Sequence, residues 1–109
     1  MDRSLQEVTP QDLKEKIREI KQQGMLVEVS GNHCASCQVI EAMLATMISS
    51  GELSLPVFKL NIDTHPEFAQ AHKIRSLPTL MLFRGDEPVR STPGLPSRTR
   101  IKQFVGATS

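Results

Sequence analysis

Residues 25–37, MLVEVSGNHCASC, constrain this chain more than any other stretch. Met25, Leu26, Val27 and Val29 form a nearly unbroken apolar run, the pattern of a strand covered on both faces. A single charge, Glu28, interrupts it. Ser30-Gly31-Asn32 breaks the strand. Cys34-Ala35-Ser36-Cys37 follows, and an amphipathic segment continues from Val39 to Ile48. The expectation is a strand, a short turn, and a helix whose first turn carries a dithiol. A helix N-terminus presents unpaired N–H groups and the positive end of its dipole. Both favour thiolate over thiol, so a cysteine there is a better nucleophile at neutral pH. A second cysteine three residues on lies nearly one turn away, within disulfide reach. One sulfur can attack and the other can resolve.

The flanking segments say what surrounds this unit. Ser4 to Val8 suits a short edge strand. Thr9-Pro10-Gln11-Asp12 is a helix start, with Thr9 as cap and Pro10 at the first helical position. Leu13, Ile17 and Ile20 then share one face, and Gly24 stops the helix. After the dithiol, Val39, Ile40, Met43, Leu44, Met47 and Ile48 form a core stripe that Ser49-Ser50-Gly51 ends. Val57 to Ile62 reads as a strand, with Phe58, Leu60 and Ile62 alternating against Val57, Lys59 and Asn61. Thr64-His65-Pro66 opens a short helix carrying Phe68 and Ala71. Thr79 to Phe83 and Val89 to Thr92 read as two strands around a Gly85-Asp86-Glu87 turn, and Pro88 and Pro93 confine the second to an edge. That turn also explains Arg84-Gly85-Asp86, an adhesion-type tripeptide. Ser97 caps a last helix burying Ile101, Phe104 and Val105, and Gly106 stops it. The order β-α-β-α-β-α-β-β-α predicts a three-layer α/β fold in one domain spanning residues 1–109.

Composition narrows the function classes. The net charge of +1 points to neither nucleic acid nor an anionic membrane. No apolar run approaches the roughly 20 residues needed to span a bilayer. The polar start, MDRSLQEVTPQDLKEK, is unlike a signal peptide, so the expectation is a cytoplasmic protein if Met1 is the native start. In that compartment two cysteines point to catalysis or metal binding rather than to a structural bridge.

Several landmarks resemble the thioredoxin family over nearly the whole chain. They are LVEV before the dithiol, CASC, VFKLNID, the SLPTLMLF run, and Gly94 followed by a capped helix. The resemblance implies a central five-stranded mixed sheet flanked by four helices, and a cis bond before Pro78. It also implies that Pro78 faces the dithiol and that the backbone of Leu77 pairs with the substrate chain. The usual family site reads W-C-G-P-C. Here His33 replaces the tryptophan, Ala35-Ser36 replaces Gly-Pro, and Ser30 stands where a second tryptophan is usual. Ala42 takes the place of a helix-kinking proline, and Glu28 that of the family's buried aspartate.

Carried over residue by residue, the resemblance makes Cys34 the nucleophile at the exposed end of the helix and Cys37 the resolving thiol. Glu28 is costly in an apolar strand unless paired or protonated. Burial raises its pKa, which makes it a candidate acceptor for the Cys37 proton, or else one half of a plain ion pair. Lys59, at the family's lysine position, is its expected partner. His33 is either a stabiliser of the Cys34 thiolate or a solvent-facing loop residue, while His65 and His72 read as surface residues. Leu77, Pro78, Pro93 and Gly94 are expected to line a shallow groove suited to an extended peptide. Ser36 restores an N–H and adds a hydroxyl beside Cys34, from which a potential roughly 30–60 mV above ordinary thioredoxin is expected.

The leading reading is a monomeric thiol–disulfide oxidoreductase acting on protein disulfides. It uses no cofactor beyond its dithiol and an external electron donor, such as a thioredoxin-reductase-like enzyme. One alternative is a metal or iron–sulfur binder. His33, Cys34 and Cys37 offer three ligands, while zinc sites and clusters usually take four, so a dimer would have to complete the set. The other is a redox-inert interaction module on the same scaffold, with the missing aromatic residues marking a changed partner.

Overall fold

Thr9 and Asp12 cap one another: the Asp12 N–H donates to Thr9 Oγ1 at 3.0 Å, and the Thr9 N–H donates to the Asp12 carboxylate at 3.1 Å. This reciprocal cap starts α1 (Pro10–Ile20), which follows the short strand β1 (Gln6–Glu7). The structure, a computed structural model, describes residues 5–20 and 23–106. Ser4, the expected start of the edge strand, lies outside the described residues. The chain continues through β2 (Met25–Ser30), α2 (Ala35–Ser49), β3 (Val57–Asn61), α3 (Pro66–Ala71), β4 (Thr79–Phe83), β5 (Pro88–Pro93) and α4 (Arg98–Gly106).

The five strands form one mixed sheet in the order β1-β3-β2-β4-β5. β1, β3 and β2 run parallel, while β4 is antiparallel to both β2 and β5. β2 is thus the central strand, and all six of its residues are buried. Its alternating side chains divide the core in two. Met25, Val27 and Val29 pack with Leu13 of α1, Phe68 of α3 and Phe58 of β3. Leu26 packs with Ile40, Leu44 and Met47 of α2, Leu80 of β4 and Ile101 of α4. Each fully buried aliphatic side chain contributes roughly 1.5–3 kcal/mol, so a strand buried on both faces anchors both layers. Glu28 and Ser30 share the parity of Leu26 and project toward the α2 layer.

The differences from expectation are local. Val39 is 50% exposed, and Met43 and Ile48 only flank the core. α2 is apolar almost all round, so its sequence assigns too wide a stripe. The inner line is Cys37, Ile40, Leu44 and Met47. Ala71, at the end of the short α3, is exposed. Ser30 does not break β2 but completes it, opposite Asn61 of β3. Pro88 and Pro93 bound the mostly exposed edge strand β5. Among the described residues, no helix is long and apolar enough to cross a membrane.

Candidate active site

Cys34 is the N-cap of α2, in extended conformation with φ −124° and ψ 98°. Its Sγ accepts the N–H of Cys37 at 3.2 Å, the position a capping oxygen usually takes. Cys34 and Cys37 are joined by a disulfide with their Cα atoms 5.2 Å apart. Cys34 is half-buried at the surface, whereas Cys37 is 1% exposed and faces the core. The Ser36 hydroxyl lies 3.7 Å from the Cys34 sulfur. The backbone donor to that sulfur is therefore the Cys37 N–H rather than the expected Ser36 N–H, and Ser36 contributes only its hydroxyl.

Cys34 opens onto a groove of about 770 Å³ lined by residues 32–36, Ile62, Asp63 and residues 74–77. Its apolar members are Ala35, Ile62, Ile74 and Leu77, and Arg75 and Asp63 supply opposite charges. The loop before the disulfide is tied to the end of β3. Asn61 Nδ2 donates to Asn32 Oδ1 at 2.9 Å, and the Asn32 N–H donates to the Asp63 carboxylate at 2.5 Å. Gly31 sits close beneath: a Cβ there would meet Leu77 at 2.7 Å and Asp63 at 3.1 Å. His33 has φ 47° and is exposed along the groove.

The expected groove residues divide. Leu77 lines it, while Pro78 is buried and joined to Leu77 by a cis peptide bond. Gly94, with φ 93°, donates its N–H to the Pro78 carbonyl at 2.8 Å, which holds that loop. Pro93 lines a separate depression with His72, residues 73–76, Thr79 and Ser91. Asn32, Asp63 and Arg75 are groove residues that sequence reasoning did not single out, because only the folded loops bring them together.

On the inner side, Glu28 is completely buried, and neither carboxyl oxygen has a hydrogen-bond partner. Desolvation, reinforced by the nearby Glu41 carboxylate, pushes its pKa up to about 9, against a smaller opposing pull from Lys59. Lys59 stands directly across from Glu28 in the β2–β3 register, but it is not Glu28's ion-pair partner as the sequence suggested. Its ammonium lies 3.4 Å from Glu41 Oε1 and 4.0 Å from Glu7. The Ser30 hydroxyl also donates to Glu41, at 2.7 Å. Glu41 was missed in the sequence. The available signal is that it is the only charged residue of α2, four positions after Cys37 and hence on its face. Among the described residues, no cluster of three or more His, Cys, Asp or Glu side chains could hold a metal ion.

The Thioredoxin family model matches residues 4–107. Thioredoxin from Buchnera aphidicola subsp. Baizongia pistaciae is 31% identical over 105 residues, 96% of this chain and 95% of that protein. A bifunctional thioredoxin reductase/thioredoxin from Mycobacterium leprae is 31% identical over 77 residues, 71% of this chain but only 17% of that protein. Among solved structures, Fasciola hepatica thioredoxin superposes with a TM-score of 0.82 at 19% identity, covering 93% of this chain and 95% of that one. At that identity the likeness speaks for the fold alone. A cysteine pair at disulfide distance at the head of α2, in a chain with these relatives, is the redox centre of a thiol–disulfide oxidoreductase. This chain belongs to the thioredoxin family.

Proposed function

We propose that the protein reduces disulfides in protein substrates with Cys34 as attacking and Cys37 as resolving sulfur, and that an external reductase restores the dithiol. The observation that carries this reading is the asymmetry of the disulfide: one sulfur borders an open groove and the other is buried. The Cys34 thiolate attacks a substrate disulfide, forming a mixed disulfide and releasing one substrate thiolate. Cys37 then attacks Cys34 Sγ, the second substrate sulfur leaves as a thiolate, and the Cys37 proton passes to the Glu28 carboxylate. The oxidised product is the form described here, with Glu28 carrying that proton. A donor dithiol reverses the sequence: its thiolate opens the disulfide at Cys34, and Glu28 returns the proton to Cys37.

The groove accepts an extended peptide against Leu77 and Ile74, with His33 and Arg75 at its polar edge. The reductase fused to the M. leprae relative supports a reductase of that kind as donor. The family match over residues 4–107 supports a single working domain; the reading takes it to act as a monomer in a reducing, cytoplasmic compartment. Turnover of a protein disulfide with dithiothreitol as donor tests the reading. Wild type turns over, and Cys34→Ser and Cys37→Ser both lose turnover. Equal turnover by wild type and both variants rules it out.

A further inference from the structure

Four polar side chains meet on the α2 side of the sheet, and one of them, Glu41, lies one helical turn from the buried Cys37. Glu28 and Ser30 come from β2, Lys59 from β3 and Glu41 from α2. β4 adds only Leu80, which lies opposite Glu28. β1 adds Glu7, at the outer edge of Lys59. The partners are distributed unequally. Glu41, whose side chain is 18% exposed, takes the Ser30 hydroxyl at 2.7 Å and the Lys59 ammonium at 3.4 Å. Glu28, fully buried and directly opposite the same lysine on the next strand, takes neither. For an ionised carboxylate so placed, the pulls of Lys59 and Ser30 are smaller than the cost of desolvation and the repulsion of Glu41, whereas a protonated one loses far less.

We propose that Glu41 is a positioning residue for the proton transfer at Cys37: by holding Lys59 and Ser30 and facing Glu28 with its own charge, it keeps the proton on Glu28 while the disulfide is closed. This rests on the proton role given to Glu28 under Proposed function. Without Glu41, Lys59 is free to swing to the carboxylate directly across the strand. Glu28 then becomes the anionic half of an ion pair in the oxidised protein and has no proton to return to Cys37 when a donor opens the disulfide. The bonding otherwise balances as before: the donor sulfur bonds Cys34, the Cys34–Cys37 bond breaks, and the proton for Cys37 must come from solvent.

The test is carboxyl ¹³C NMR titration of the oxidised protein, with Glu28→Gln assigning the Glu28 signal and Glu41→Gln as the variant. Circular dichroism confirms that both variants fold. Glu41→Gln lowers the Glu28 midpoint by about one pH unit or more, since a like charge is removed and an opposite one approaches. Lys59→Met added to Glu41→Gln recovers part of that shift. The rate at which dithiothreitol thiolate opens the disulfide falls on the alkaline side, and in Glu41→Gln that fall moves down by the same interval. An unchanged or raised Glu28 midpoint in Glu41→Gln overturns the proposal. A Glu28→Gln variant with the wild-type rate profile instead overturns the proton role of Glu28, whatever its midpoint does.

Discussion

The two sulfurs of the disulfide are three residues apart and lie in opposite environments. Cys34 sits among loops joined by small polar links: Asn32 to Asp63, Asn61 to Asn32, Gly94 to Pro78. Its neighbours Asn32, His33 and Ala35 are exposed, so a substrate chain can reach the sulfur from solvent. Cys37 is buried in the layer between α2 and the sheet, the layer toward which Glu28, a carboxyl that no donor satisfies, also projects. In the proposed reaction, substrate chemistry falls to the outer side and proton chemistry to the inner one. The division follows from the helix start: the N-cap faces the solvent, and the residue three positions on faces the sheet.

The largest expected effect is on the inner side. Ionising the buried Glu28 costs the fold, because its pKa is raised above the unfolded value of 4.5 to about 9. The native state therefore holds the proton more tightly than the unfolded chain, and stability falls as pH rises from about 4.5 to about 9. Glu28→Gln removes that dependence. In the oxidised protein it gains on the order of 3 kcal/mol over wild type at pH 7, more at pH 9 and little at pH 4. Denaturant unfolding at the three pH values measures this. A constant difference across them would mean that the carboxyl does not titrate as its burial implies. The same variant slows the resolving step by about tenfold or more near neutral pH, read by stopped-flow with a model disulfide.

A smaller effect sharpens the outer side. Gly31→Ala places a methyl against the end of the Leu77 side chain and close to the Asp63 carboxylate, and both must give way at a cost of roughly 1–3 kcal/mol. Leu77 borders the groove, so KM for a protein substrate rises several-fold while the Glu28 titration stays put. A shift in both would show that the two sides are coupled. The smallest effect concerns Ser36. With only its hydroxyl at 3.7 Å from Cys34, its contribution to the thiolate lies at the weak end of charged hydrogen bonds, and Ser36→Ala lowers the potential by roughly 30 mV or less. Equilibration against glutathione buffers measures it, and a raised potential contradicts the assignment.

The outer framework was largely legible in the sequence. The apolar run 25–29, the turn and the Cys-x-x-Cys spacing imply a buried strand feeding a helix, and the alternation in residues 57–62 implies its neighbour. The inner network was legible only in part. Glu28 is conspicuous as a charge in an apolar strand, and its register opposite Lys59 is correct. The pairing is not, because a long lysine side chain chooses among carboxylates by solvation. Glu41 keeps some contact with water, so pairing there costs less desolvation than pairing with a fully buried group. That choice depends on how far α2 lies from the sheet, which no local pattern records. Val39 was assigned to the core for a related reason: an apolar helix does not say which of its apolar residues faces water.

Trapping of mixed disulfides tests the division between the two sulfurs most directly. Cys37→Ser and Cys34→Ser are each incubated, reduced, with one disulfide-bonded protein substrate, quenched in acid and resolved on non-reducing gels. The expected result is accumulation of a covalent complex with Cys37→Ser, reversed by dithiothreitol, and little or none with Cys34→Ser. Equal trapping by the two variants, or trapping by Cys34→Ser alone, would contradict the assignment of Cys34 to the substrate and Cys37 to the interior.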